Sequence, residues 1–193
     1  MKKIFFLLML CILFSGCKSE SKKLHFFEEI KNENGNEKRY TTFLYGQRKI
    51  SSVEGTVCKI LSNPENEKWI VDVRSVGTNY TQNAAIYLVD GHSKKIKELF
   101  RENPVNILGA DPDLSFLLVN YVNYENNIRA IVVSIYDLAL MEQINESIFI
   151  DTFECSEVEF QKYEDGVFYY IIVNEIEHSD MQMLATKSTS HKS

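Results

Sequence analysis

The amino-acid sequence predicts an all-β domain of antiparallel strands built on a repeat of about 48 residues. Three observations carry that expectation. From Tyr40 onward, short runs rich in Val, Ile, Phe and Tyr alternate with clusters of Asn, Asp, Gly, Ser and Glu, the pattern of many short strands joined by tight turns. Nowhere in that region do apolar residues hold a helical period over several turns. The same succession of strand, turn and strand then returns at a fixed spacing.

The elements follow in order. Leu24 to Lys31 suits one helical turn or a strand, and Lys31 to Lys38, rich in Asn, Gly and Glu, reads as a loop. Strands are then expected near 40–45, 56–61, 69–76, 84–89, 95–100, 105–109, 116–124, 128–137, 146–152, 155–161, 167–177 and 181–186. Gly77, Gly91, Asn103-Pro104, Asp111-Pro112 and Gly166 punctuate them. The β domain is thus expected over 40–186, with 187–193 as a polar tail.

The repeat is visible in particular residues. Ile60-Leu61-Ser62-Asn63-Pro64-Glu65, running on to Trp69-Ile70-Val71, matches Ile107-Leu108-Gly109-Ala110-Asp111-Pro112-Asp113, running on to Phe116-Leu117-Leu118-Val119. A weaker copy is Phe160 to Gly166, followed by Phe168-Tyr169-Tyr170. Downstream, Tyr87-Leu88-Val89-Asp90 matches Ile135-Tyr136-Asp137-Leu138. These units resemble the four-strand blades of TolB-like or WD40-like β-propellers, in which the first turn often reads Ser-Pro-Asp-Gly and the third strand ends before an Asp. Asp111-Pro112-Asp113-Leu114 and Tyr136-Asp137 are the counterparts here, and the turn lacks its glycine. The resemblance implies a partial or open propeller-like stack, because fewer blades are visible than the four to eight typical of a closed ring. The strand at 40–45 would complete the third unit, joining the two ends of the domain, and a β-sandwich is the alternative architecture. Trp69, Tyr87, Phe116, Tyr136 and Tyr169 occupy corresponding places and read as core anchors.

The N-terminus carries a separate message. Met1-Lys2-Lys3, an apolar run from Ile4 to Phe14, and Ser15-Gly16-Cys17 form the three regions of an export signal, and the run is too short for a spanning helix, which needs roughly 20 apolar residues. Leu13-Phe14-Ser15-Gly16-Cys17 resembles the lipobox of bacterial lipoproteins, with Phe14 where that family prefers Leu. The resemblance implies a signal peptide over 1–16, diacylglyceryl modification of Cys17, and a lipid anchor with a polar tether over 17–39. Two acyl chains hold a protein stably on a membrane where one does so only marginally. Lys18, in place of the Asp that retains many such proteins at the inner membrane, favours the outer membrane of the envelope.

Charge narrows the partners. The whole chain has 21 Lys and Arg against 27 Asp and Glu; cleavage before Cys17 removes Lys2 and Lys3, leaving 19 basic residues and a net charge of −8. An acidic surface repels phosphate backbones, so nucleic acid is not an expected partner. An envelope protein, a peptidoglycan-associated partner or a second copy of the chain fits better.

Of the four cysteines, Cys11 lies in the signal and Cys17 at the lipidation position, which leaves Cys58 and Cys155 either bridged in an oxidising compartment or buried as free thiols. The histidines His25, His92, His178 and His191 are scattered without zinc spacing, and His178 near Glu175 and Glu177 reads as a solvated turn. Asp111/Asp113 and Asp151/Glu154 lack the dense ligand loop of a calcium site and read as turn formers. No nucleophile elbow, dinucleotide loop or phosphate-binding loop is present, so no metal, cofactor or catalytic group is expected. Tyr121, Asn123 and Tyr124, beside Asn126-Asn127, read as an exposed hairpin end, with a polar ligand surface as the alternative. The functional expectation is a binding or scaffold module on the envelope. Its rivals are an enzyme with an unrecognised site and a structural or antigenic surface protein.

Overall fold

The computed structural model describes residues 23–33, 35–63, 65–76, 82–101, 105–125, 128–151, 156–173 and 180–186. Within these, fourteen antiparallel strands form four sheets. The first holds β1 (Leu24–Glu33), β2 (Asn36–Tyr45) and β3 (Arg48–Glu54). The second holds β4 (Thr56–Asn63), β5 (Lys68–Val76), β6 (Gln82–Asp90) and β7 (Lys95–Arg101). The third is β8 (Asn106–Ala110), β9 (Phe116–Glu125), β10 (Ile128–Asp137) and β11 (Glu142–Ile150), and the fourth is β12 (Glu157–Glu164), β13 (Val167–Val173) and β14 (Gln182–Ala185).

Strand alternation explains why the sheets stack. Successive side chains point to opposite faces, so a strand covered on both sides must be apolar at consecutive positions. In β5, Trp69, Val71 and Val73 turn toward the first sheet and meet Phe43, while Ile70 turns toward the third and meets Ile107, Leu117 and Val119. In β9, Leu117 and Val119 share that second core, whereas Leu118 joins Ile131, Val133 and Ile135 against Phe168, Tyr170 and Leu184 of the fourth sheet. Three cores therefore lie between four sheets. Full burial of a side chain such as Ile70, Leu118 or Phe168 contributes about 1.5–3 kcal/mol.

The repeat predicted from sequence reappears in backbone detail. Asp90 Oδ1 accepts the N–H groups of His92 and Ser93 at 2.9 and 3.0 Å, and Asp137 Oδ1 accepts those of Ala139 and Leu140 at 2.8 and 3.0 Å. Lys94 and Met141, which close those two turns, are both left-handed, with φ of 54° and 61°. Glu67 and Leu114 match likewise in the preceding turns, with φ of 51° and 52°. Leu114 thus adopts the conformation that glycine would take most easily, and its buried side chain in the second core offsets the strain.

The structure differs from the sequence reading at its N-terminal side. The β region begins at Leu24 rather than Tyr40, because the supposed loop is a hairpin: β1 pairs β2 over ten residue pairs, turning at Gly35 with φ of 83°. The strand expected to complete the third unit, β2, pairs only with β1 and β3. β2 also runs in the direction of β4 and β6, since Lys38 and Arg39 lie by Thr56 and Arg74 at one end, while Tyr45 meets Trp69 at the other. The first sheet thus corresponds to the second, third and fourth strands of the later ones, and the fourth sheet to the first three. Among the described residues no strand pairing joins the first and last sheets, and four stacked sheets replace the two layers of a sandwich.

Candidate functional site

The third core gives out toward the end where β9 finishes and β10 and β12 begin. On the face of β9 and β10 that carries Leu118 and Val133, the next positions outward are Asn120, Val122, Ile131 and Arg129. Opposite stand Ser156, Glu157 and Val158, and Asn106 and Leu108 of β8 close the side; together they line a cleft of about 410 Å³. Deeper in, the sheets meet too closely for a cavity, because a Cβ on Gly109 would lie 2.8 Å from the Phe160 ring. This volume falls within the roughly 300–1,000 Å³ of ligand pockets.

The polar groups around the cleft divide into engaged and unengaged. Asp151, 6% exposed, forms an ion pair with Arg129, and its oxygens accept the Ser156 hydroxyl at 2.8 Å and the Ser156 N–H at 3.3 Å. Asp151 N–H also donates to Arg129 carbonyl at 2.9 Å, so one carboxylate ties β10 to the approach of the fourth sheet. Arg74 makes a forked pair with buried Asp72 at 2.8–3.2 Å and donates to Asn106 Oδ1 at 2.9 Å. The hydrogen bonds it donates to the Asp72 carboxylate hold the Arg74 pKa above its ordinary value. Lys59 donates to the carbonyls of Ile107 and Leu108 at 2.8 and 3.0 Å, and burial pushes its pKa down. By contrast, Asn120 Oδ1 is buried with no hydrogen-bond partner among the described residues.

A second hollow of about 370 Å³ lies at the same end between the first two sheets, lined by Glu37, Lys38, Arg39, Glu54, Thr56 and Arg74 among others. Two of its charges are engaged, Lys38 on Glu54 at 2.9 Å and Arg74 on Asp72, and none of its lining side-chain atoms is both buried and without a partner among the described residues. That leaves the first cleft as the stronger candidate.

The residues singled out in sequence are distributed as follows. Cys17 and the whole signal segment lie outside the described residues, as do Cys155, Glu154, Glu175, Glu177, His178, His191 and Asn126-Asn127. Cys58 is exposed on β4 and unbridged among the described residues. The joining of the first and third sequence units through β2 is overturned by the pairing of β2 within its own sheet. Asp111 is a turn former: buried, it accepts N–H groups of Asp113, Ser115 and Phe116. Among the described residues no group of three or more His, Cys, Asp or Glu is placed to hold a metal ion.

Two assignments shift by one residue. Trp69 and Tyr87 are buried, but Tyr169 is half-buried under Lys162, 4.8 Å from the ring centre, while its neighbours Phe168 and Tyr170 are fully buried. Likewise Tyr124 is 69% exposed at the hairpin end, and the cleft is lined by Asn120 and Val122 rather than by Tyr121 and Asn123, which alternate to the other face. Asn120 and Arg129 went unnoticed in sequence. Their signal is a lone polar residue inside Leu117-Leu118-Val119-Asn120 and Ile128-Arg129-Ala130-Ile131, on a face that packing buries.

Comparison with known proteins follows the fold. No protein-family model and no curated protein matches the chain. Among solved structures, the β-propeller domain of the Trilobed protease from Pyrococcus furiosus, which has an open velcro topology, is similar over 86% of this chain and 50% of its own, with 13% identity and a TM-score of 0.51. The acylaminoacyl peptidase of Pyrococcus horikoshii is similar over 82% of this chain and 30% of its own, with 11% identity and a TM-score of 0.49. This chain spans half the length of the first and under a third of the second. At this identity the likeness bears on fold alone: the chain is an all-β stack of antiparallel sheets similar to part of a β-propeller domain.

Proposed function

We propose that this chain is a lipid-anchored envelope protein whose β stack is a binding module for an envelope protein partner. The observation that carries the binding reading is the cleft between the third and fourth sheets, where a buried Asn120 oxygen stands without a hydrogen-bond partner among the described residues. Native structures satisfy nearly all buried polar atoms, so an exception inside a ligand-sized cleft marks a group kept for something else. The anchor reading rests on Ser15-Gly16-Cys17 after a short apolar run, and Lys18 favours the outer membrane.

Two experiments test the two halves. On detergent phase partitioning the wild type enters the detergent phase and carries acyl mass, and Cys17→Ala moves to the aqueous phase; an aqueous, unacylated wild type ends the anchor reading. A photo-crosslinking residue at Glu157, beside the cleft, captures a partner in native membranes that the same residue at Lys49 of the first sheet does not. Equal yields from both positions, or none, defeat the module reading.

A further inference from the structure

We propose that the end of the first two sheets where β1 starts lies against an anionic lipid surface, which turns the cleft to the side away from the membrane. The inference rests on the anchor reading above and names the surface on which the anchored domain sits. β1 starts at Leu24 opposite Tyr45, the last residue of β2, and the Lys23 carbonyl accepts the Gly46 N–H at 3.2 Å, so the chain enters the fold at this end. Tyr45 meets Trp69 there, and Lys68 stands opposite Asp90 in the register of β5 and β6, so the turns after β2, β4 and β6 gather beside the entry point. Lys23 follows Cys17 by six residues, a reach of about 20 Å when extended, so lipid on Cys17 holds this end of the domain close to the bilayer.

Charge is divided at this end. The entry point and the turns 45–49, 63–68 and 90–95 carry Lys23, Arg48, Lys49, Lys68, Lys94 and Lys95 against Glu65, Glu67 and Asp90, a net charge of 6 − 3 = +3 in a chain that is negative as a whole. The corresponding turns of the third and fourth sheets, 111–115, 137–142 and 164–166, carry six Asp and Glu and no Lys or Arg. Lys23, Arg48, Lys49, Lys94 and Lys95 are exposed, and none is held in an ion pair among the described residues. Lys31 and Lys38, at the far end of the same first sheet, are by contrast held by Glu29 and Glu54. Exposed cations without local counter-ions attract a phosphate-bearing surface over roughly a Debye length, about 10 Å, and the acidic half of the same end is repelled by it. The domain therefore rests on its first two sheets. The cleft stands at the opposite end, between the third and fourth sheets, and points away from the lipid.

Photo-crosslinking of the full-length protein in lipid vesicles tests the surface. The crosslinking residue replaces His92, in the exposed turn after β6, or Glu157, beside the cleft. In vesicles that contain phosphatidylglycerol, the His92 position captures phospholipid at least about ten-fold more than the Glu157 position. High salt, or vesicles of phosphatidylcholine alone, reduces that capture. Arg48→Gln, Lys49→Gln, Lys94→Gln and Lys95→Gln together lower it by about ten-fold, whereas Lys31→Gln with Lys38→Gln leaves it unchanged. All four positions are exposed, and an unchanged β circular-dichroism signal shows that the combined variant folds. Equal capture at the two positions, no capture, or capture indifferent to phosphatidylglycerol or to the four substitutions overturns the assignment. Detergent partitioning reports the anchor separately: an unacylated chain with salt-sensitive capture at His92 removes the anchor reading and keeps the surface, and an acylated chain with equal capture at both positions does the reverse.

Discussion

Arg129→Met is expected to destabilise the fold by about 3–5 kcal/mol, the usual cost of stranding one member of a buried ion pair. The carboxylate left behind is Asp151, whose side chain is 1% exposed, against 14% for Arg129. Ser156 would still donate two hydrogen bonds to it, at 2.8 and 3.3 Å, but these do not replace a charge of opposite sign. Adding Asp151→Leu to Arg129→Met removes the stranded charge, so the double variant is expected to recover most of the loss. Urea denaturation midpoints of the wild type, the single and the double variant check this. A loss below about 1 kcal/mol in the single variant would mean that water reaches Asp151 and the pair is effectively a surface one. The effect reaches the cleft as well as stability, because Arg129 and Ser156 both line it and both engage the Asp151 carboxylate.

Gly55→Ala should cost about 3 kcal/mol or more, from two separate causes. Gly55 links β3 to β4 as a single residue with φ of 123°, a conformation that L side chains rarely adopt. A Cβ there would also lie 2.7 Å from both the Arg74 carbonyl oxygen and Val73 Cγ1. The backbone has little freedom to give way: Gly55 N–H donates to Arg39 at 2.8 Å, and its carbonyl accepts the Thr41 hydroxyl at 2.6 Å. Gly35→Ala is the matched control. Its φ of 83° is also left-handed, but nothing lies within 4 Å of the added Cβ, so only the backbone strain of about 1 kcal/mol remains. Thermal unfolding of the two variants separates strain from clash. Equal shifts would show that the first and second sheets separate easily at Gly55.

Strand placement was legible in this sequence because it is written in neighbouring residues. The expected strands at 84–89, 116–124 and 128–137 fall within β6 (Gln82–Asp90), β9 (Phe116–Glu125) and β10 (Ile128–Asp137), where apolar runs end at turn residues. The hairpin of β1 and β2 was missed because its residues are dominated by Glu, Lys and Asn. Those charges sit on the outer face of the first sheet, where Lys31 pairs with Glu29 at 2.9 Å and stacks on Tyr40, and Lys38 reaches Glu54. A terminal sheet needs one apolar face only, so its strands carry half the hydrophobic signal of the internal ones.

The cleft was less legible still. In sequence Asp151 reads as a turn former, yet its counter-ion, Arg129, lies directly across the open end of the β10–β11 hairpin from it. Asn120 sits in a run whose alternation points it into the third core, and only the packing of the fourth sheet turns a polar strand residue into a buried one.

By itself the sequence determined the class of secondary structure, the turn chemistry and the repeat, since side-chain period and turn preference are local properties of the chain. It also contained the residues 13–17 whose lipobox resemblance motivates the anchor proposal. The tertiary structure alone decided that β2 closes its own sheet instead of the last one, that four sheets stack with three cores between them, and that Asn120, Arg129 and Glu157 share one cleft. Those are choices among pairings distant in sequence, and they are settled by which faces can be buried together, a quantity that exists only once the sheets have met.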